Sequence, residues 1–217
     1  MEEAVIKVKH VSKVFKGQKV LEDVDLEVAK GNICGIVGRN GSGKTVLFKC
    51  ICGFMRPTEG TILVEGKKVG KGNDIPENIG IIIESPGFLP HFSGYKNLRL
   101  LASMDGNSDE ERIREVIKKV GLDPESKKKV SKYSMGMRQR LGIAQAIMGR
   151  PSILILDEPM NGLDNSGVKE MRRLLLDLKA EGCTLLIASH NQEDIRILCD
   201  EVYYMDRGRL CAELGTE

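Results

Sequence analysis

Apolar and polar residues alternate near the start of the chain, in a pattern that predicts strands. Val5 to Lys9 and Val24 to Val28 have period two, and Gly17 lies in the turn region between them. We therefore expect an antiparallel pair. Continuous apolar runs further along predict buried strands, at residues 32–37, 61–64, 79–83, 152–156, 184–188 and 201–205.

Helical periodicity dominates between Phe88 and about Arg150. Ser108 and Glu111 form a capping box for a helix that runs through Lys119. A second helix should begin near Ser134, because the apolar residues after it recur at helical spacing. Those residues are Leu141, Ile143, Ala144 and Ile147.

Helices are also predicted over 46–52, over 165–179 and after residue 190. Strands that alternate with helices indicate an α/β fold with a mostly parallel sheet. We expect a single domain over residues 1–217, whose catalytic core comprises 1–87 and 151–217. Residues 88–150 would form an inserted helical subdomain, and the first strands an antiparallel addition.

Composition and charge narrow the function classes. The chain has 217 residues and 41% hydrophobic content, enough for a substantial core. Its 33 basic and 31 acidic residues leave a net charge of +2, so we expect no nucleic-acid partner. The six cysteines lack zinc-site spacing and are typical of a reducing compartment. Without a long apolar run or leader, a cytoplasmic protein that reaches the membrane through partners is expected.

The apolar run 32–37 leads directly into a glycine-rich loop, Gly-Arg-Asn-Gly-Ser-Gly-Lys-Thr. Glycines let successive backbone N–H groups face a polyphosphate, and the following helix adds its positive end. Lys44 would reach the β- and γ-phosphates, and Thr45 would hold Mg²⁺. This loop alone does not separate a kinase, a GTPase or an ATPase. The expected nucleotide contacts are Gly38, Arg39, Asn40, Gly41, Ser42, Gly43, Lys44, Thr45 and Val46.

A second strand ends in two acids, Asp157 and Glu158. In open α/β sheets ligands bind at the carboxyl ends of the strands, so both acids should face the nucleotide. Asp157 would bind the metal opposite Thr45, and Glu158 would deprotonate an attacking water. Two ordinary surface acids are the alternative. A base and a water imply hydrolysis, whereas phosphoryl transfer would need a pocket for an acceptor.

The order and spacing of these motifs resemble the ATP-binding subunits of ABC transporters, over essentially the whole chain. The resemblance rests on 38–45, 153–158, Ser134-Met-Gly136, Asn161-Gly-Leu-Asp164 and His190. It implies ATP and Mg²⁺ as ligands and separate membrane permease subunits as partners. It also implies a head-to-tail dimer, in which Ser134 and Gly136 of one subunit complete the ATP site of the other. The Ser-x-Gly stretch discriminates best, because other phosphate-loop families lack such an element between the two nucleotide motifs.

Three further roles follow from the resemblance. His190 is similar to the switch histidine that contacts the γ-phosphate, and Asp164 to an aspartate that communicates across the dimer. Phe15, in the stretch between the first two strands, matches an aromatic residue that stacks on adenine. From the residues alone, Ser134 and Asp164 would be helix N-caps and Phe15 a hydrophobic turn residue.

Two departures from the common pattern bear on the substrate. The signature Leu-Ser-Gly-Gly-Gln is replaced by Tyr133-Ser-Met-Gly-Met137, and a glutamine by Glu84, which we expect near the metal. Both features are similar to the ATPase subunits of bacitracin and lantibiotic self-protection exporters. They favour export of a peptide antibiotic.

Two other function classes remain open at this point. A soluble ABC-type ATPase acting on DNA or ribosomes would need a long coiled-coil insertion or a second cassette, and this sequence contains neither. A small-molecule phosphoryl transferase would leave Ser134, Gly136 and His190 without a role.

Overall fold

The computed structural model describes residues 3–70, 75–84, 86–104 and 109–212. In chain order the strands are β1 (Ala4–Phe15), β2 (Gln18–Ala29), β3 (Ile33–Val37), β4 (Glu59–Val64), β5 (Lys67–Val69), β6 (Ile79–Ile82), β7 (Ile153–Asp157), β8 (Thr184–Ser189), β9 (Glu201–Asp206) and β10 (Arg209–Cys211). The helices are α1 (Lys44–Ile51), α2 (Gly94–Met104), α3 (Glu110–Lys119), α4 (Met135–Met148), α5 (Asn165–Ala180) and α6 (Gln192–Leu198).

The strands form two sheets. A four-stranded antiparallel sheet has the order β2-β1-β4-β5, and a six-stranded sheet has the order β10-β9-β3-β8-β7-β6. In the larger sheet all neighbouring pairs are parallel except β9 with β10. The predicted mostly parallel α/β fold with additional antiparallel strands is therefore confirmed.

The central strands of the larger sheet are apolar throughout because both of their faces are buried. In β8, Leu185 and Ile187 pack into one core, whereas Leu186 and Ala188 pack into the other. The first core includes buried residues of α3, α4 and α5. The second includes residues of α1 and of the antiparallel sheet. The carboxyl ends of β3, β7 and β8 meet at one edge, where the polar motifs lie.

Several local predictions need correction. Phe15 is the last residue of β1 and does not lie in the connecting stretch. The helix predicted to start at residue 46 already begins at Lys44. The capping box at Ser108 lies outside the described residues; α3 begins at Glu110, and the Asp109 side chain accepts from the Arg112 backbone N–H. The prediction missed α2, β5 and β10 altogether.

The helix expected near Ser134 is confirmed as α4, which begins at the next residue. Its predicted apolar face is fully buried, at Leu141, Ile143, Ala144 and Ile147. Among the helices of the described ranges, none is long and apolar enough to cross a membrane.

Candidate nucleotide-binding site

The glycine loop between β3 and α1 requires a close approach of its backbone to β9 and backbone angles that are unusual for residues with side chains. A Cβ on Gly38 would lie 2.4 Å from the Met205 carbonyl oxygen, so only glycine fits beside β9. Gly41 and Gly43 have φ values of +81° and +117°, in the region where side chains are strained. The sequence therefore folds this loop tightly at the carboxyl end of β3.

Lys44 is the first residue of α1, and its side chain folds back onto this loop. Its side chain is buried, and its Nζ donates to the carbonyl oxygens of Gly38 at 2.6 Å and Arg39 at 3.2 Å. The buried Ser42 hydroxyl has no hydrogen-bond partner among the described residues. A buried orphan donor in this loop and an ammonium group that contacts the same loop suit an anionic ligand such as a phosphate oxygen.

Thr45 and Asp157 come into direct contact, although they are far apart in the sequence. The Thr45 hydroxyl donates to Asp157 Oδ2 at 2.7 Å. Burial raises the pKa of Asp157; the Thr45 hydrogen bond and Lys44 lower it, while the charges of Glu158 and Glu84 raise it. The hydroxyl and the carboxylates offer oxygen donors, and the negative charges of the carboxylates repel one another. Such a donor set suits Mg²⁺.

Glu158 follows β7 with a φ of +51°, which is unusual for a residue with a side chain. Its backbone N–H donates to the Ala188 carbonyl at 2.9 Å, which fixes this turn against β8. Its Oε2 lies 2.8 Å from Nδ1 of the exposed His190, while Oε1 is buried without a partner among the described residues. The arrangement suits a carboxylate base held by a histidine.

Gln139 of α4 is a residue that sequence reasoning missed. Its Nε2 donates to the carbonyl oxygens of Glu158 at 3.3 Å and Pro159 at 3.1 Å. The side chain is buried, so a polar residue on the apolar face of α4 was the available signal. The contact ties the turn at Glu158 to the helical part of the chain.

Ser134 and Gly136 lie at the start of α4. The exposed Ser134 caps the helix, and its Oγ accepts from the Met137 backbone N–H at 3.2 Å. A Cβ on Gly136 would lie 2.7 Å from the Gly162 carbonyl oxygen, so the helix packs closely against the 161–164 loop. Asp164 caps α5 by accepting from the Gly167 N–H at 2.8 Å. The hydrogen bonds described for Ser134 do not reach the glycine loop.

Phe15 and Glu84, two other predicted site residues, each contact a lysine. Phe15 is 40% exposed, and Lys13 Nζ lies 5.0 Å from its ring centroid, close enough for a cation–π contact. Glu84 has a φ of +61° and forms an ion pair with Lys49, with 2.6 Å between Oε1 and Nζ. The charge of Glu84 nevertheless reaches Asp157, whose pKa it raises.

Comparison with known families decides the class of this site. The family model described as ABC transporter matches residues 21–161, which include the glycine loop, the start of α4 and both acids. The chain belongs to the ABC transporter family. It is an ATP-binding subunit of that family, the ATP-hydrolysing motor of a transporter.

Two relatives and a solved structure support this assignment over nearly the whole chain. A bacitracin transport ATP-binding protein of Bacillus licheniformis is 41% identical over 97% of this chain and 69% of its own length. A lantibiotic transport ATP-binding protein of Streptococcus pyogenes is 35% identical, covering 96% of this chain and 90% of its own. A dimeric ATP-binding cassette, solved in a post-hydrolysis state with ADP and Pi, matches with a TM-score of 0.85. It is 25% identical and covers 94% of this chain and 96% of its own.

Proposed function

We propose that two copies of this ABC subunit close around two Mg·ATP and drive a permease that exports a peptide antibiotic. The observation that carries the nucleotide chemistry is the meeting of Lys44, Thr45, Asp157 and Glu158 at the carboxyl edge of one sheet. Ligands of open α/β sheets bind at this edge. The alternative is a soluble ATPase that acts on DNA or ribosomes. These residues alone do not exclude it, but both relatives named above are transport proteins, which argues against it.

The phosphates would lie along the glycine loop. Backbone N–H groups of residues 38–46 and the positive end of α1 would face the phosphate oxygens. Lys44 would exchange its two loop carbonyl contacts for phosphate oxygens, which bind an ammonium more strongly than neutral carbonyls do. Phe15, exposed at the end of β1, would stack on adenine.

Thr45 and Asp157 would hold Mg²⁺, with Glu84 close by. When bound, Mg²⁺ neutralises phosphate charge during hydrolysis. Glu158 would take a proton from the attacking water with its unpaired oxygen, and His190 would keep the carboxylate in place through its 2.8 Å contact. Lys44, Glu158 and His190 are thus the proposed catalytic residues.

The second half of each ATP site would come from the partner subunit. Ser134 is exposed and already oriented as a helix cap, and Gly136 packs against the loop that leads to Asp164. A serine hydroxyl and free N–H groups at a helix start are good ligands for a γ-phosphate. We therefore propose a homodimer in which Ser134 and Gly136 face the glycine loop of the other copy.

A pair of substitutions separates the two halves of this site. Lys44→Ala should weaken ATP binding to the dilute monomer by about tenfold or more, because it removes a charged contact within one chain. Ser134→Arg should leave monomer binding unchanged and block ATP-dependent dimerisation. Equilibrium ATP titration and sedimentation velocity measure the two effects. Equal loss of monomer binding in both variants would contradict the role proposed for Ser134.

The setting of the subunit completes the proposal. The dimer would lie at the cytoplasmic face of the membrane, with residues 1–87 and 151–217 binding nucleotide and 88–150 forming the helical subdomain. Peptide-antibiotic cargo is supported by the relatives' names and by Glu84 and the Tyr133–Met137 signature. Cells that express the subunit with its permease should resist bacitracin or a lantibiotic, and Glu158→Gln should abolish that resistance. Unchanged susceptibility to both peptide classes would contradict the cargo.

A further inference from the structure

Helix α1 makes two polar contacts with the larger sheet, one helical turn apart. Thr45 Oγ1 donates to Asp157 Oδ2 at 2.7 Å. Four residues later, Lys49 Nζ donates to Glu84 Oε1 at 2.6 Å. Residues at i and i+4 share one face of a helix. The hydroxyl and the ammonium group therefore form a single row along α1.

The two acids that receive these contacts lie at the carboxyl ends of neighbouring parallel strands: Asp157 is the last residue of β7, and Glu84 comes two residues after β6. Strands β6 and β7 pair in register, with Ile82 beside Leu156, so Glu84 and Asp157 leave the same edge of the sheet. The carboxylates also sense each other, because the charge of Glu84 raises the pKa of Asp157. A cation bound at Asp157 would attract the carboxylate that Lys49 already holds.

We propose that Lys49 competes with the nucleotide-bound metal for Glu84, so that Glu84 exchanges Lys49 for Mg·ATP when the site fills. This inference rests on the proposed metal site at Thr45 and Asp157. The side chains of Lys49 and Glu84 are 27% and 64% exposed, and a partly exposed pair is weak enough to be exchanged. Lys49 is then a positioning residue that sets how much Mg²⁺ the subunit needs.

The exchange would also reach the helical part of the chain. Pro86, two residues after Glu84, packs so closely on α4 that a Cβ on Gly142 would lie 2.6 Å from its Cγ. Helix α4 begins directly after Ser134, which we place opposite the partner's ATP. Release of Glu84 from Lys49 would therefore alter the contact between Pro86 and the helix proposed to complete the dimer.

The test is a Mg²⁺ titration with a fluorescent N-methylanthraniloyl ATP, whose own concentration is kept below saturation. The measured quantity is the Mg²⁺ concentration that gives half-maximal binding of this nucleotide. Lys49→Met should lower this midpoint by about two- to fivefold, the range expected for a partly exposed pair. Lys49→Arg should keep the midpoint of the unmodified protein. In a Glu84→Gln background, Lys49→Met should have no effect, because Lys49 acts through the Glu84 charge.

A matched control is Lys67→Met, which breaks the exposed Lys67–Glu77 pair away from the site and should leave the midpoint unchanged. Thermal unfolding verifies that each variant is folded. No shift in folded Lys49→Met, or the same shift in the Glu84→Gln background, would overturn the competition while leaving the ATP site intact. Failure of the unmodified protein to bind ATP with Mg²⁺ would overturn the proposed function, and this inference with it.

Discussion

At the scale of single residues, Asp157 shows how a proposed metal ligand lowers the stability of the fold when no metal is bound. Its carboxyl is buried at the end of β7 beside the charges of Glu158 and Glu84. Burial is the largest effect and raises its pKa above the ordinary value of 3.8, and these two charges raise it further. The Thr45 hydrogen bond and the charge of Lys44 lower the pKa, but they do not offset the rise. A raised pKa means that the folded state binds the proton more tightly than the unfolded state. Asp157 therefore favours folding at low pH, and this contribution is lost as the pH rises through the folded pKa.

Asp157→Asn should consequently stabilise the protein at neutral pH when nucleotide and metal are absent. The amide removes the buried charge and keeps an oxygen that can accept from Thr45. We expect Tm to rise by a few degrees at pH 7 and the difference to shrink towards pH 4. Calorimetric melting in EDTA measures it, with the exposed Asp177→Asn as control. An equal or lower Tm at pH 7 would contradict this account.

The sequence could predict these residues only where the signal was local. The glycine loop and the two acids after an apolar strand are contiguous motifs, and placing both at strand ends was enough to predict that Thr45 faces Asp157. The Lys49–Glu84 pair and the bond from Gln139 to Glu158 join residues that are distant in sequence. Neither partner carries a local signal for the other, so only the folded structure reveals them.

At the scale of elements, the glycine loop is held by contact with β9. The Cβ that alanine would add at Gly38 meets both the Met205 carbonyl oxygen at 2.4 Å and the Ser42 hydroxyl at 2.6 Å. Neither neighbour can move freely, because one is backbone in a sheet and the other lies inside the loop. The loop can therefore keep its shape only with glycine at position 38, because the neighbouring atoms cannot move to make room for a side chain.

Gly38→Ala should lower the free energy of unfolding by about 1–3 kcal/mol, as overpacking does, and weaken ATP binding at the same time. Gly149→Ala is the matched control, since its Cβ would have no neighbour within 4 Å. Urea unfolding and ATP titration measure the two effects. Two variants with the same stability and affinity would show that the loop tolerates the added methyl group.

Elements with weak or short patterns escaped prediction. Strands β5 and β10 have only three residues each, too few for a periodic signal. Helix α2 buries Leu98 and Ala102 at helical spacing, but it opens with Gly94, a poor helix former, and buries the polar Asn97 on the same face. The long apolar runs of β3, β7 and β8 were predicted because burial on both faces leaves an unmistakable pattern.

At the scale of the whole molecule, the sequence predicts a parallel sheet but not the order of its strands. Strand β3 lies between β8 and β9, which come from the other end of the chain. This order brings His190, directly after β8, to Glu158, directly after β7. The proposed dimer is likewise not visible in local patterns, because Ser134 is the N-cap of its own helix whether or not a partner binds.

The central claim is an ATP site that closes between two copies and opens by hydrolysis. Glu158→Gln keeps the shape of the side chain and removes the base, so ATP binding should persist while hydrolysis falls by about 100-fold or more. Size-exclusion chromatography of this variant with ATP and Mg²⁺ tests the claim most directly. The account predicts a stable dimer that reverts to monomer without ATP. A monomer at saturating ATP, or normal phosphate release, would contradict it.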